Sequence, residues 1–309
     1  MKAIKLLFGF VIIGLLASSC YTEVFVEDEY IEEPVFNVNR ALQAYDLWYV
    51  DINATVGNGE VPFLQRAFTI SFDGGTVYAN NNIAGIGSNG NGFGVDIGYY
   101  STSDGMVRID HDVDGIWDLQ VYSVNGNTLE LYSRSTDTSY YVEGYNTNNF
   151  DYDRVFYENI QYFLQEYELW EKVYVSNEGA INDFDAENFI QFLAGTSSDY
   201  FRSSIDEMGT PLNKVAWDYE GDYQVYDVKG DETFKTLTLD YDYMGNDYFE
   251  LYVLNDNTIE LFHSSSGTTY QFKGRYYIEY LKAGKQGSQT DKKRTKTTLP
   301  KMDVVKKRT

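Results

Sequence analysis

The chain has 309 residues, with 47 Asp and Glu against 24 Lys and Arg, a formal net charge of −23 at pH 7 and a single cysteine. One cysteine excludes an internal disulfide, so packing alone must hold the fold, and 43% hydrophobic residues with 29 tyrosines supply a core that favours strands. The charge is uneven: residues 282–309 carry ten Lys/Arg against two Asp, which leaves −31 on the rest, and a body that acidic repels phosphate backbones and argues against nucleic acid as a partner.

The chain opens MKAIKLLFGFVIIGLLASSC, in which two lysines precede an apolar run from Leu6 to Leu16 that ends in small residues and Cys20. This is the pattern of a lipoprotein signal. The run has 11 residues, well short of the roughly 20 that a membrane-spanning helix needs. The reading is a signal peptide over 1–19 and acylation of Cys20, of the palmitate kind, as the anchor that makes a membrane the first partner. Residues 20–36 form an acidic tether, with Glu23, Glu27, Asp28, Glu29, Glu32 and Glu33 close behind the cysteine. The tether resembles the export signal of Bacteroidota lipoproteins. That resemblance implies anchoring in the outer membrane, with display on its outer face.

Beyond the tether the chain repeats. LQAYDLW, from Leu42, returns as LQEYELW, from Leu164, and the stretch Asp110 to Gly144 aligns without a gap on Asp240 to Gly274. Identities include Asp110/Asp240, Asp112/Asp242, Gly115/Gly245, Asn125/Asn255, Asn127/Asn257, Tyr140/Tyr270 and Gly144/Gly274. Two units, 37–148 and 149–281, follow from this duplication. Each begins with a short helical stretch, NRALQAYD or ENIQYFLQEYE, that feeds a strand at Trp48 or Trp170. In the first unit FTISF, GGTVYA, GVDIGYY, MVRIDHD, IWDLQVYSV, TLELYS and TSYYVEG then alternate between turn signals. With the tryptophan strand they make about eight antiparallel strands, the pattern of a small up-and-down barrel or a compact sandwich. The second unit follows with KVAWDYEG, YQVYDVKG, TFKTLTLDYDY, YFELYVL, TIELFHS and TTYQFKG. Residues 282–309 lack apolar periodicity and read as a basic, structureless tail.

The helix-then-Trp opening and the strand meander resemble the lipocalin-like domains of bacterial lipoproteins, and the tandem arrangement resembles flavobacterial envelope lipoproteins. The fold class that follows is all-β: two tandem eight-stranded antiparallel lipocalin-like barrels, each preceded by a short helix, with β-sandwiches as the alternative. In lipocalins the first-strand motif is Gly-x-Trp, and its Trp closes one end of the barrel. The resemblance assigns that role to Trp48 and Trp170. Asp46 and Glu168 stand where the Gly would be, and the arginine that packs over the Trp has a candidate only in Arg275, where the first unit has Tyr145.

Three stretches invite a chemical reading. Gly85 to Gly90, GIGSNG, has dinucleotide-loop spacing but is followed by an alternating segment rather than the helix that pyrophosphate binding needs. His111 and His263 face Tyr241 and Ser133 across the duplication, and no Ser/His/Asp or Cys/His set can be assembled, so the chain reads as non-enzymatic. In DHDVDGIWD, Asp110, Asp112 and Asp114 fill positions 1, 3 and 5 of a calcium loop, Gly115 position 6 and Asp118 position 9. Position 12, which calls for a bidentate Glu, is Val121, and the second unit replaces Asp114 and Asp118 by Met244 and Tyr248. The expectation is no cofactor, with weakly held calcium at Asp110, Asp112, Asp114 and Asp118 as the one metal reading. Both units keep what a hairpin needs, acids facing outward and the sets Ile109-His111-Val113 and Leu239-Tyr241-Tyr243 facing inward.

The resulting expectation is a lipid-anchored envelope protein that binds a small or glycan-like ligand, or a partner protein, at a barrel mouth or on its tyrosine-rich surface. A structural or assembly module of the outer membrane is the second reading, and a hydrolase of envelope polymer with paired carboxylates the third.

Overall fold

The computed structural model describes residues 36–86, 93–278 and 293–303. The signal peptide, Cys20, most of the tether and residues 87–90 of the glycine-rich loop lie outside the described residues. Two closed antiparallel barrels follow one another. Helix α1 (Val38–Leu42), capped by the Asn37 side chain on Arg40 N–H, leads into β1 (Leu47–Gly57). A second short helix, α2 (Pro62–Arg66), precedes β2 (Thr69–Asp73) and β3 (Thr76–Asn80). The meander continues through β4 (Val95–Ser103), β5 (Met106–His111), β6 (Gly115–Ser123), β7 (Thr128–Ser133) and β8 (Thr138–Tyr145), and β8 returns to β1. Closure leaves no sheet edges, which a two-sheet sandwich would keep.

Helices α3 (Tyr152–Glu158) and α4 (Ile160–Gln165) open the second barrel. Its strands are β9 (Tyr167–Val175), β10 (Phe189–Leu193), β11 (Tyr200–Ser204), β12 (Tyr219–Val228), β13 (Asp231–Tyr241), β14 (Asn246–Asn255), β15 (Thr258–His263) and β16 (Thr269–Tyr277). A 3-10 turn over Asp183–Ala186 takes the place that α2 holds in the first barrel, between the first and second strands. KVAWDYEG and YQVYDVKG, read from sequence as two segments, form a single strand, β12, from Tyr219 onward. Pairing of β11 with the first half of β12 closes this barrel.

The duplicated identities acquire a physical reason in these barrels. Trp48 pairs with Gly144 across β1 and β8, and Trp170 pairs with Gly274 across β9 and β16. Each indole N–H donates over 2.8 Å to a carbonyl of the preceding helix, that of Leu42 or Leu164, which fastens the helix to the strand. The motif tyrosine three residues before each Trp packs edge-on against it, with centroids 5.2 Å apart for Tyr45–Trp48 and 4.7 Å for Tyr167–Trp170. Those rings lie on the bare Cα of Gly144 and Gly274: an added Cβ would stand 2.2 Å from Tyr45 and 2.5 Å from Tyr167. Tyrosine therefore holds the place that the resemblance gave to arginine, and Arg275 instead bonds Glu171 at 2.7 Å. Gly144→Ala is expected to cost about 1–3 kcal/mol through overpacking, and adding Tyr45→Ala should make the second change nearly free. Urea unfolding of the double-mutant cycle measures both.

One hydrophobic cluster runs through both barrels, joining Leu47, Tyr49, Phe68 and Ile83 of the first to Phe156, Ile160 and Phe163 of the second. Polar contacts fix the joint. Glu166, fully buried, accepts from Ile83 N–H at 2.9 Å and Ala84 N–H at 2.8 Å. Tyr49 donates to Glu158 at 2.8 Å, and the Asn82 amide donates to the Ile278 carbonyl at 2.6 Å.

The expectation of a structureless basic tail over 282–309 is corrected for 293–303. Arg294 and Leu299 are buried, and Lys301–Met302 form a short strand, β17, parallel to the far half of β12. Composition failed here because one arginine supplies the segment's main anchor, and a single position leaves no periodic trace.

Candidate functional site

The acids of DHDVDGIWD sit around the β5–β6 turn, where Gly115 takes a φ of +79°. They are not gathered into a cage. Asp114 is ion-paired with Arg66 of α2, and Asp118 forms a two-pronged pair with Arg108 at 2.7 and 2.8 Å, while Asp110 and Asp112 are exposed. Among the described residues no group of three or more His, Cys, Asp or Glu side chains could hold a metal ion. His111 is a buried turn acceptor, its Nδ1 receiving Val113 N–H at 3.2 Å and Asp114 N–H at 2.9 Å while its ring stacks on Phe63 of α2. The Phe63–His111 stack and the Arg66–Asp114 pair close this end of the first barrel, away from Trp48. Val121 is buried as its alternation requires, whereas Val113, expected to face inward, is exposed because the strand has already ended at His111.

The matching end of the second barrel is built differently. Tyr241 stands in the place of His111, Tyr243 in that of Val113, and Met244 in that of Asp114. Gly245 does not share the positive φ of Gly115. No partner for an Arg66–Asp114 pair remains, and the turn instead walls a cleft of about 190 Å³ lined by Trp217, Asp218, Tyr219, Glu220, Tyr241, Tyr243 and Met244. Tyr243, assigned from sequence to the inward set, is 93% exposed there. The Arg202 guanidinium lies over the Trp217 ring, 4.4 Å from its centroid. A cluster of large aromatics beside carboxylates, with Tyr243 exposed and Trp217 and Tyr219 half-buried, is unusual for surface that serves packing alone.

Beneath the cleft lies a set of buried ionisable groups. Tyr241, whose ring lines the cleft, donates its hydroxyl to Glu187 Oε1 at 2.8 Å. Glu187 is only 2% exposed, and burial pushes its carboxyl up to about 7. Ser203 is close enough to oppose that rise, yet neither Ser203 Oγ nor Glu187 Oε2 reaches a hydrogen-bond partner. Lys172 is also 2% exposed, and desolvation lowers its ammonium to about 8. Its Nζ donates to the Asp185 carbonyl at 2.8 Å and lies 5.3 Å from the Tyr270 ring centroid. His263, also buried, bridges Asp247 at 3.2 Å and Ser266 at 2.8 Å. The first barrel has Val50 where Lys172 stands and Ser133 where His263 stands, so this polar set belongs to the second barrel alone. Buried ionisable groups that do not neutralise one another in direct contact reduce stability and mark candidate functional sites.

The fold defines a tandem antiparallel β-barrel protein with an aromatic cleft beside the β13–β14 turn of its second barrel. No protein-family model matches the chain, and no curated protein resembles it in sequence.

Proposed function

We propose that this chain is a non-enzymatic binding protein of the bacterial envelope, anchored to the outer membrane by acylated Cys20, and that the second barrel holds a small or glycan-like ligand in the cleft of Trp217, Tyr219, Tyr241, Tyr243 and Met244. One observation carries the reading. At the β5–β6 turn the first barrel is covered by Phe63–His111 and Arg66–Asp114, whereas at the corresponding turn of the second barrel there is a cleft lined with rings and carboxylates. Flat aromatic faces cover the apolar side of a ligand while Asp218 and Glu220 present acceptors to its hydroxyl or amine groups. The interior of the second barrel is filled by Phe184, Phe249, Tyr270 and Phe272, which favours binding at the mouth over an enclosed cavity.

Native mass spectrometry of the purified protein, challenged with envelope oligosaccharides and small amphiphiles, tests the proposal. A retained ligand is expected, with at least tenfold weaker retention in Trp217→Ala/Tyr243→Ala. Tyr243 is so exposed that its removal should leave the melting temperature unchanged. A protein that retains nothing would turn the reading to a structural or assembly module, which the filled interior and the packed joint between barrels favour.

A further inference from the structure

The seam between the barrels is a built receptor for a guanidinium, filled by the chain's own residues 293–303. Arg294 is 1% exposed. Its Nη1 donates to the Ala67 carbonyl, and its Nη2 donates to the Val50 carbonyl at 3.0 Å and to Asn159 Oδ1 at 3.1 Å. Its guanidinium carbon lies over the Phe68 ring, 4.4 Å from the centroid. Val50, Ala67 and Phe68 belong to the first barrel and Asn159 joins α3 to α4, so the pocket exists only where the two barrels meet. A planar fork of donors matches divergent carbonyl acceptors, and a lysine ammonium does not.

The rest of the segment lies extended along the same seam. Arg294 N–H donates to the Gln65 carbonyl at 2.8 Å, Thr297 N–H to Asn53 Oδ1 at 2.9 Å, and Leu299 is buried. Asp227 N–H then donates to the Pro300 carbonyl at 2.9 Å and Lys229 N–H to the Met302 carbonyl at 3.2 Å. This is strand addition to the half of β12 that the barrel leaves unpaired by β11.

Two buried side chains and a few backbone bonds, offset by desolvation of the charge, give a free peptide a Kd on the order of 10–100 µM. The connection from Ile278 spans 14 residues, and a tether of that length supplies an effective concentration on the order of millimolar. The segment is therefore held mostly in its own seam yet remains exchangeable. We propose that the seam is a docking site for an arginine-anchored extended segment, and that its partner in trans is the same segment of a second copy of this chain. Charge complementarity selects that partner: the last 28 residues carry +8 and the remainder of the chain −31, so a second copy's basic end is steered toward this body. Reciprocal exchange closes a dimer, and one-way exchange leaves an open chain of copies.

The test uses the whole chain with a protease site inserted after Gly287. After cleavage and dilution, a fluorescent peptide of residues 293–303 is titrated in, followed by anisotropy, with circular dichroism reporting the fold. Saturable binding that unlabelled peptide displaces is expected, at least tenfold weaker for the Arg294→Lys peptide. Uncut chain at high concentration should show dimers or longer species by light scattering that excess peptide dissolves. Equal binding of the Arg294→Lys peptide, absence of saturable binding, or unfolding of the cut chain on release of the segment would each overturn the docking site. A monomer at all concentrations would overturn the second copy as its partner.

Discussion

Glu166→Ala is expected to destabilise the protein by about 3–5 kcal/mol, because two backbone N–H groups lose their acceptor inside a buried joint. The carboxylate that accepts from Ile83 and Ala84 is the main chemical difference between LQAYDLW and LQEYELW at the helix end, since Ala44 occupies the equivalent position in the first unit. The substitution thus gives the second unit the residue that the first one already carries, and local helix formation should survive it. What should be lost is coupling. Urea unfolding followed by tryptophan fluorescence should pass from one transition to two, with the segment 83–86 the first to lose amide protection in hydrogen exchange. Glu166→Gln, which keeps one acceptor oxygen and replaces the other by an amide, should lose about half as much.

Glu187→Gln is expected to stabilise the protein by about 3 kcal/mol at pH 8 and to change little at pH 4. Burial raises the Glu187 carboxyl from 4.5 to about 7. Between those values the unfolded chain has released a proton that the folded chain retains, so this group's contribution to stability falls as pH rises through that window and is lowest above it. A shift of that size corresponds to about 3 kcal/mol. Lys172 acts in the opposite sense. Its ammonium drops from 10.5 to about 8 in the fold, the unfolded chain holds the extra proton between those values, and stability rises with pH across them. Together the two groups place a stability minimum between about pH 7 and 8. Thermal melts of the parent and Glu187→Gln from pH 4 to 10 would reveal it, and identical curves would show that the carboxyl ionises without cost. A pair kept at the expense of stability beneath an open cleft fits a binding role better than a scaffolding one.

Much of the first barrel was legible because its strands are short, alternating and punctuated by glycine and asparagine turns. TLELYS appears as a strand at the residues where the alternation put it, and MVRIDHD as a strand that ends one residue sooner, at His111. The second barrel was less legible. Phe189–Leu193 is buried at four of its five positions and so shows no alternation, and Tyr200–Ser204 mixes Arg and Ser into a strand of five. Helix α2 escaped because VPFLQR is too short for a helical period, although Pro62 at its start is a start signal that could have been weighed. At the candidate site the substitution of Asp114 by Met244 was visible in the alignment, but it read as the loss of a metal ligand. Its other meaning, that the second barrel lacks the ion pair by which Asp114 holds Arg66 over the first, depends on α2 and so required three dimensions.

The seam has a consequence for how the chain is made. Arg294 donates to a carbonyl 244 positions earlier, so the acceptors of Val50 and Ala67 are synthesised among the first strands and stay open to water until both barrels and Arg294 have emerged. Contacts of that separation form late, after the local meanders have closed. A chain interrupted between β16 and Arg294 would carry sixteen barrel strands and still show a bare Phe68 and an unfilled ring of acceptors. Docking of this segment is thereby visible on the outside of the molecule, where a protease or chaperone that reads exposed apolar surface can tell a copy with a filled seam from one without.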